Sequence, residues 1–187
     1  MAPLHIVLFG GFELLRGGEA LPPIPSRAGR ALFAYLVVRR GVRLPRERLA
    51  GEFWPDMPES RARRRLSHTL WQIQDTLSDL ADGHGYLEAT GDALSFDPDV
   101  PYWIDVEEFE RRIERFRPVH GSKSRRRATD RRELVDAVAL YRGEFLSTFY
   151  DDWVLAEQER LSQLHAEALG WLVSLAKGEG AYEEALG

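Results

Sequence analysis

The sequence contains no cysteine. That excludes disulfides and thiolate metal sites, and it fits a reducing, cytoplasmic home. It contains no run of 18 apolar residues, so neither a transmembrane helix nor a membrane partner is expected. The opening "MAPLHIVLFGGF" lacks a basic lead and has too short an apolar run for a secretion signal. Lysine is missing from the first 80 residues, whose 12 positive charges are all arginine and stand against 8 Asp and Glu, a net of +4. The 187-residue chain as a whole is acidic, with a formal net charge of −5. Residues 98–187 carry 13 Lys and Arg against 18 Asp and Glu. A bulk charge of this sign argues against a uniformly basic nucleic-acid binder. The asymmetry instead implies two parts with different partners.

Signals for catalysis are also missing. "GGFELLRGG" is glycine-rich but has no Gly-Lys-Ser/Thr, so it is not a P-loop. The histidines at 5, 68, 84, 120 and 165 show no metal-ligand spacing. Asp151-Asp152, ahead of Trp153, resembles a helix N-cap more than a catalytic pair. Ser67 and His68 are neighbours on a helix and do not face each other. The chain is therefore not expected to be an enzyme, and no catalytic residue, cofactor or metal is assigned.

What is present is a particular order of elements. "LHIVLF" (4–9) reads as a short strand, and "FELLRGGEALP" as further short strands about Gly17-Gly18. Ser26 is an N-cap candidate for "RAGRALFAYLVVRR", whose Ala28, Leu32, Tyr35 and Leu36 fall at helical spacing and which Gly41 ends. "PRERLAGEFW" opens with Pro45 as a first-turn residue and gives a second, short helix burying Leu49 and Phe53. A third helix is predicted over 59–81, ending near Asp82-Gly83. Its stripe Ala62, Leu66, Leu70, Ile73, Leu77 and Leu80 advances by three or four residues, as one buried face requires. "YLEAT" and "ALSFD" about Gly91-Asp92 read as a hairpin. Strands, three helices and a hairpin in this order describe a winged helix-turn-helix over residues 1–97. Residues 98–187 read as all-helical: "DVEEFERRIERF", "RRELVDAVALY", the long "WVLAEQERLSQLHAEALGWLVSLAKGEG", and "AYEEALG" as the start of another helix. The basic stretch 117–130 reads as a surface loop, with phosphate binding by "SKSRRR" (122–127) as the alternative. The helix-starting end suggests a fragment of a longer protein.

On a 100° wheel with Leu66 facing the core, Arg61, Arg64, His68, Trp71 and Asp75 point outward. Arg65 and Gln72 flank one side and Ser67 the other, while Arg63 lies nearer the apolar edge, where its stem can snorkel. A helix entering the major groove needs such a face: arginine bonds guanine bidentately or clamps phosphate, and glutamine reads adenine. The bland alternative is a solvated charged face. Asp75 and Asp79 oppose phosphate in the second half. Trp71 can stack on sugar or base, pack against the wing, or enter a protein partner, and packing is the expectation. The candidate DNA-facing residues are Arg61, Arg64, Arg65, Ser67, His68, Trp71 and Gln72. Arg46 and Arg48 on the second helix, and Thr90 and Gly91 at the hairpin, are candidates for backbone contacts.

The stretch from "LFGGFELLRGGEALP" to "FWPDMPESRARRRLSHTLWQIQDTL" resembles the OmpR-type winged-helix domain of SARP/AfsR-like bacterial transcriptional activators. "WIDVEEFERRI", "ALYRGEFL" and "YDDWVLAEQERL" resemble the TPR-like bacterial transcriptional activator domain that follows it. The resemblance implies a mainly α fold with small β-sheets, a winged helix-turn-helix and a TPR-like helical array. It implies sequence-specific binding to double-stranded DNA, often at direct repeats, with the third helix in the major groove and the wing at the adjacent minor groove or backbone. It also implies contact with RNA polymerase, and a homo-oligomer is a further possibility. The third helix departs from the family pattern "NNLRxALSRLRRAL". Ser67, Gln72, Gln74 and Asp75 stand at usual basic positions, Arg64 and Arg65 replace two asparagines, and positive charge has moved toward the N-terminal end. No receiver domain precedes the first strand, so phospho-aspartate switching within the chain is not expected. The competing expectation is a winged helix turned into a protein-interaction module through Trp71, on a TPR-like scaffold.

Overall fold

The computed structural model describes residues 2–78, 85–117 and 128–186. The chain divides into two compact units, Met1–Leu4 with Glu13–Tyr102, and His5–Phe12 with Trp103–Gly187. Strand β1 (Leu4–Val7) starts in the first and runs on into the second.

In the first unit, β2 (Glu13–Arg16) and β3 (Glu19–Ala20) pair antiparallel, Leu15 opposite Ala20 and Arg16 opposite Glu19. The two-residue turn between them holds Gly17 and Gly18 at φ of 60° and 88°, which glycine adopts without penalty. Helix α1 (Arg27–Val38) follows, and the Ser26 hydroxyl accepts from the Gly29 amide, as a serine N-cap should. Residues 31–37 of α1 are all buried, Leu32, Tyr35 and Leu36 among them, while Ala28 is half-buried. A helix apolar on every side belongs at the centre of its domain, and α1 packs against both helix α3 (Glu59–Leu77) and strand β6 (Ala93–Phe96). Strand β4 (Leu44–Pro45) leads into α2 (Arg46–Phe53), so Pro45 stands just before the helix rather than inside its first turn. Leu49 is buried, while Phe53 is half-buried with its ring edge-on to Tyr35 at 5.4 Å. Helix α3 (Glu59–Leu77) buries Ala62, Leu66, Leu70, Ile73 and Leu77, with Thr69 beside them. Leu80 and the expected Asp82-Gly83 end lie outside the described residues. Strands β5 (Leu87–Thr90) and β6 (Ala93–Phe96) form the hairpin about Gly91-Asp92, in register from Leu87 opposite Phe96 to Thr90 opposite Ala93. β4 pairs the other edge of β6, giving the order β4-β6-β5.

Gly29 is where α1 comes closest to its surroundings. A Cβ there would stand 2.7 Å from Ile24 Cγ2 and 2.9 Å from Ser26 Oγ. Ile24 is fully buried and the Ser26 hydroxyl is held by two hydrogen bonds, so neither yields cheaply. Although alanine is favoured over glycine in a helix by about 1 kcal/mol, Gly29→Ala is expected to destabilise the protein by about 1–3 kcal/mol from overpacking. A lowered urea midpoint with an unchanged m-value would show it.

In the second unit, β7 (Tyr102–Ile104) feeds α4 (Asp105–Glu114), whose buried Val106, Phe109 and Ile113 mark one face. Residues 8–10 lie antiparallel to 144–146: Phe9 bridges Phe145, Leu146 N donates to Leu8 O at 2.7 Å, and Gly10 N donates to Glu144 O at 2.9 Å. Helix α5 (Ala128–Val138) buries Leu134 and Ala137 and packs on α4 and α6. It starts within the stretch read as a loop, and residues 118–127 of that stretch, including "SKSRRR", lie outside the described residues. Helix α6 (Asp152–Leu186) buries Val154, Leu161 and Ala168 at steps of seven. Its Arg160 joins Glu110 of α4 at 2.6 Å and Glu157 at 2.7 Å.

One expectation is corrected here. "AYEEALG" does not start a new helix, because α6 continues unbroken through "GEG". Glycine costs a helix about 1 kcal/mol but still donates its N–H, and no proline interrupts residues 152–186. The fold is mainly α with small β-sheets, a winged helix-turn-helix and a helical array.

Candidate nucleic-acid interface

Pro58 precedes α3, and its carbonyl accepts from the amides of Arg61 (2.8 Å) and Ala62 (3.0 Å). The helix therefore begins cleanly, two residues before its first arginine. With Leu66 and Leu70 in the core, Arg61, Arg64, Arg65, Ser67, His68 and Trp71 are all exposed. Among the described residues no ion pair involves Arg61, Arg64 or Arg65. Arg63 differs: its guanidinium is 2.8 Å from Glu59 and 3.8 Å from Glu47. The four clustered arginines thus separate into three unneutralised cations and one that is spoken for. Arg63 lies along the acidic residues of its own first turn and of α2.

The second half of the face changes character. Trp71 is 59% exposed, so the expectation that it packs against the wing is corrected. Its ring centroid lies 6.1 Å from that of His68, one turn earlier. At that position the wheel turns an indole away from the side occupied by Leu70 and Ile73. Ser67 donates to the Arg63 carbonyl at 3.1 Å. Gln72 is half-buried, and its side-chain carbonyl accepts from the Ser26 hydroxyl at 2.9 Å. The hydroxyl that caps α1 therefore also anchors α3, and half of the Gln72 amide is occupied in holding the two helices together. Ser26 was legible as a cap, but its second partner, 46 residues away, has no local sequence signal.

Arg46 is half-buried and Arg48 exposed on α2. The Arg46 amide donates to Asp92 O at 2.9 Å, which ties the start of α2 to the hairpin turn where Thr90 and Gly91 are exposed. Gly91 has a φ of 61°, the left-handed conformation that a tight two-residue turn needs. Thus the fold brings Arg46 to Thr90 and Gly91, and separately sets the α3 residues on one face. The remaining described histidines lie in the second unit, His5 against Trp103 at 5.1 Å and His165 stacked on Tyr141 at 4.2 Å.

Among protein families, the model described as "bacterial transcriptional activator domain" matches residues 104–187. Residues 104–187, just under half of the chain, are similar to that domain. Among solved structures, the whole chain is similar to Mycobacterium tuberculosis EmbR in complex with a low-affinity phosphopeptide, with a TM-score of 0.79 at 21% identity. The match covers 100% of this chain and 50% of the EmbR chain, so this chain spans half of that length. At this identity the likeness establishes a shared fold. No curated protein matches the sequence. The matched region coincides with the one whose "WIDVEEFERRI" and "YDDWVLAEQERL" carried the resemblance. Among the described residues, no helix is long and apolar enough to cross a membrane.

Proposed function

We propose that this chain is a sequence-specific DNA-binding transcriptional regulator, an activator, that reads the major groove of double-stranded DNA with α3. Residues 1–97 serve as the DNA-binding domain and 98–187 as the activator domain, acting in the cytoplasm through contact with RNA polymerase. The reading rests chiefly on one observation: Arg61, Arg64 and Arg65 are exposed and, among the described residues, without carboxylate partners on the third helix of a winged helix-turn-helix. Three such guanidiniums on an acidic protein are left for phosphate and base edges. Arg46, Arg48, Thr90 and Gly91 add backbone contacts from α2 and the wing, and Ser67, His68, Trp71 and Gln72 complete the α3 face.

A second reading has an observation of its own. The exposed Trp71 beside Asp75 suits a protein partner better than a phosphate. Binding to a randomised duplex pool across a salt series, followed by sequencing of the bound fraction, separates the two. A DNA reader enriches a motif, and its affinity falls with salt at a slope of about −0.9 per neutralised phosphate. A protein-interaction module binds no duplex even at low salt.

A further inference from the structure

Resting on the DNA-binding reading, we propose that Trp71 is a base-reading residue that recognises the 5-methyl group of thymine at the end of the site remote from the arginines.

The placement of Trp71 carries the inference. Arg61, Arg64, His68 and Trp71 follow one another by three or four residues, so they form one continuous strip on the solvent side of α3. Ten residues separate Arg61 from Trp71, about 15 Å along the axis at 1.5 Å per residue. With successive base pairs about 3.4 Å apart, the strip spans about four base steps. Its two ends differ in chemistry. The N-terminal end offers guanidiniums, whose partners are guanine edges and phosphates. The C-terminal end offers an indole, followed one turn later by the exposed carboxylate of Asp75. A carboxylate there disfavours phosphate and leaves the tryptophan facing the floor of the groove rather than its wall.

On that floor, the one apolar group is the thymine methyl. Trp71 is 59% exposed in the free protein, so its ring has apolar area still to cover. His68 lies against one side of it, ring centroids 6.1 Å apart, which limits how far the indole can swing away. Trp71 lies outside the buried stripe, which Leu66, Leu70 and Ile73 fill. A large, mostly exposed aromatic ring on the arginine face is accounted for by a contact made in the complex.

The test uses the whole chain and a duplex selected from the randomised pool. Each thymine in the bound motif is replaced in turn by deoxyuridine, which removes the methyl and leaves every hydrogen-bonding group in place. Burying one methyl against an indole is expected to be worth about four-fold in affinity. The expected result is a position, about four base steps from a guanine contact, where uracil weakens the wild-type chain about four-fold. At that position uracil leaves Trp71→Ala unaffected, while uracil elsewhere affects both chains alike. Trp71→Phe retains part of the discrimination. If uracil substitution costs nothing at any position, or costs both chains equally, the inference is overturned while DNA binding stands. Unchanged DNA affinity in Trp71→Ala overturns it as well, leaving Trp71 for a protein partner. Absence of any duplex binding overturns it together with the reading beneath it.

Discussion

The double variant Arg64→Ala with Arg65→Ala loses DNA affinity by roughly a hundred-fold or more at physiological salt, since each arginine contact to a base edge or phosphate is worth about 1–3 kcal/mol. The two residues sit on adjacent sides of one turn, both exposed and neither held by a carboxylate. Their loss removes up to two phosphate contacts, so the slope of log affinity against log salt becomes shallower by up to about 1.8. Arg63→Ala is the internal control. Its guanidinium already faces Glu59 at 2.8 Å and Glu47 at 3.8 Å, so removing it deletes one neutralised charge from the same helix. Affinity is expected to change only a few-fold, with little change in slope. Filter binding or fluorescence anisotropy at three salt concentrations measures all of this, and far-UV circular dichroism confirms that α3 is intact. A free-energy loss from Arg63→Ala about half that of the double variant, one charge against two, would mean that net charge alone, and not the outward face of α3, governs binding. Unchanged binding in the double variant would leave the helix to a protein partner.

The sequence was most informative where structure is set locally. The stripe from Ala62 to Leu77 has the helical period, and every one of those positions is buried. Gly17-Gly18 and Gly91-Asp92 mark two-residue turns because few residues adopt positive φ at such positions, and both turns join paired strands. Ser26 caps α1 because a serine oxygen ahead of an apolar run satisfies an otherwise unpaired amide. What was not legible depended on distance along the chain. The burial of α1 on all sides reflects α3 and β6 closing over it, and neither is visible within its own window. Glycine in "GEG" looked like a helix end, yet glycine only weakens a helix where its neighbours favour one. On the candidate face, the wheel placed Arg61, Arg64, His68 and Trp71 outward, where they are. It could not show that Arg63 is occupied by Glu47 of α2, or that Gln72 is held by Ser26. Both facts narrow the face to fewer free groups than the charge run suggested.

The largest expected effect on stability lies at Asp105, in sequence one acid among several in "WIDVEEF". Its carboxylate is 3% exposed and serves three backbone amides: Leu8 donates to both oxygens at 3.0 Å, Phe9 donates at 2.9 Å and Val106 at 2.8 Å. Two of these amides belong to a segment 96 or 97 residues earlier, the same segment that lies against 144–146. Asp105→Ala would leave three donors without an acceptor in a dry place. At about 1–3 kcal/mol for each orphaned group, the loss should reach about 3 kcal/mol or more, a large share of a domain's total stability. Asp105→Asn should cost less, because its side-chain carbonyl still accepts. The pH dependence separates charge from hydrogen bonding. Burial pushes the Asp105 carboxyl above its ordinary range, against the pull of the Phe9, Leu8 and Val106 amides and of the Arg142 guanidinium. A carboxyl with a raised folded-state value binds its proton more tightly folded than unfolded, so protonation favours the fold. Its contribution is fully present below the unfolded value of about 3.9. It is lost as pH rises from there through the raised folded value, and is constant beyond it. Urea unfolding of the wild type and Asp105→Asn between pH 4 and 8 should therefore show the Asn variant's deficit shrinking as pH rises from 4 and then levelling. A deficit that instead grows over that range would mean that the three amides outweigh burial and hold Asp105 ionised in the fold.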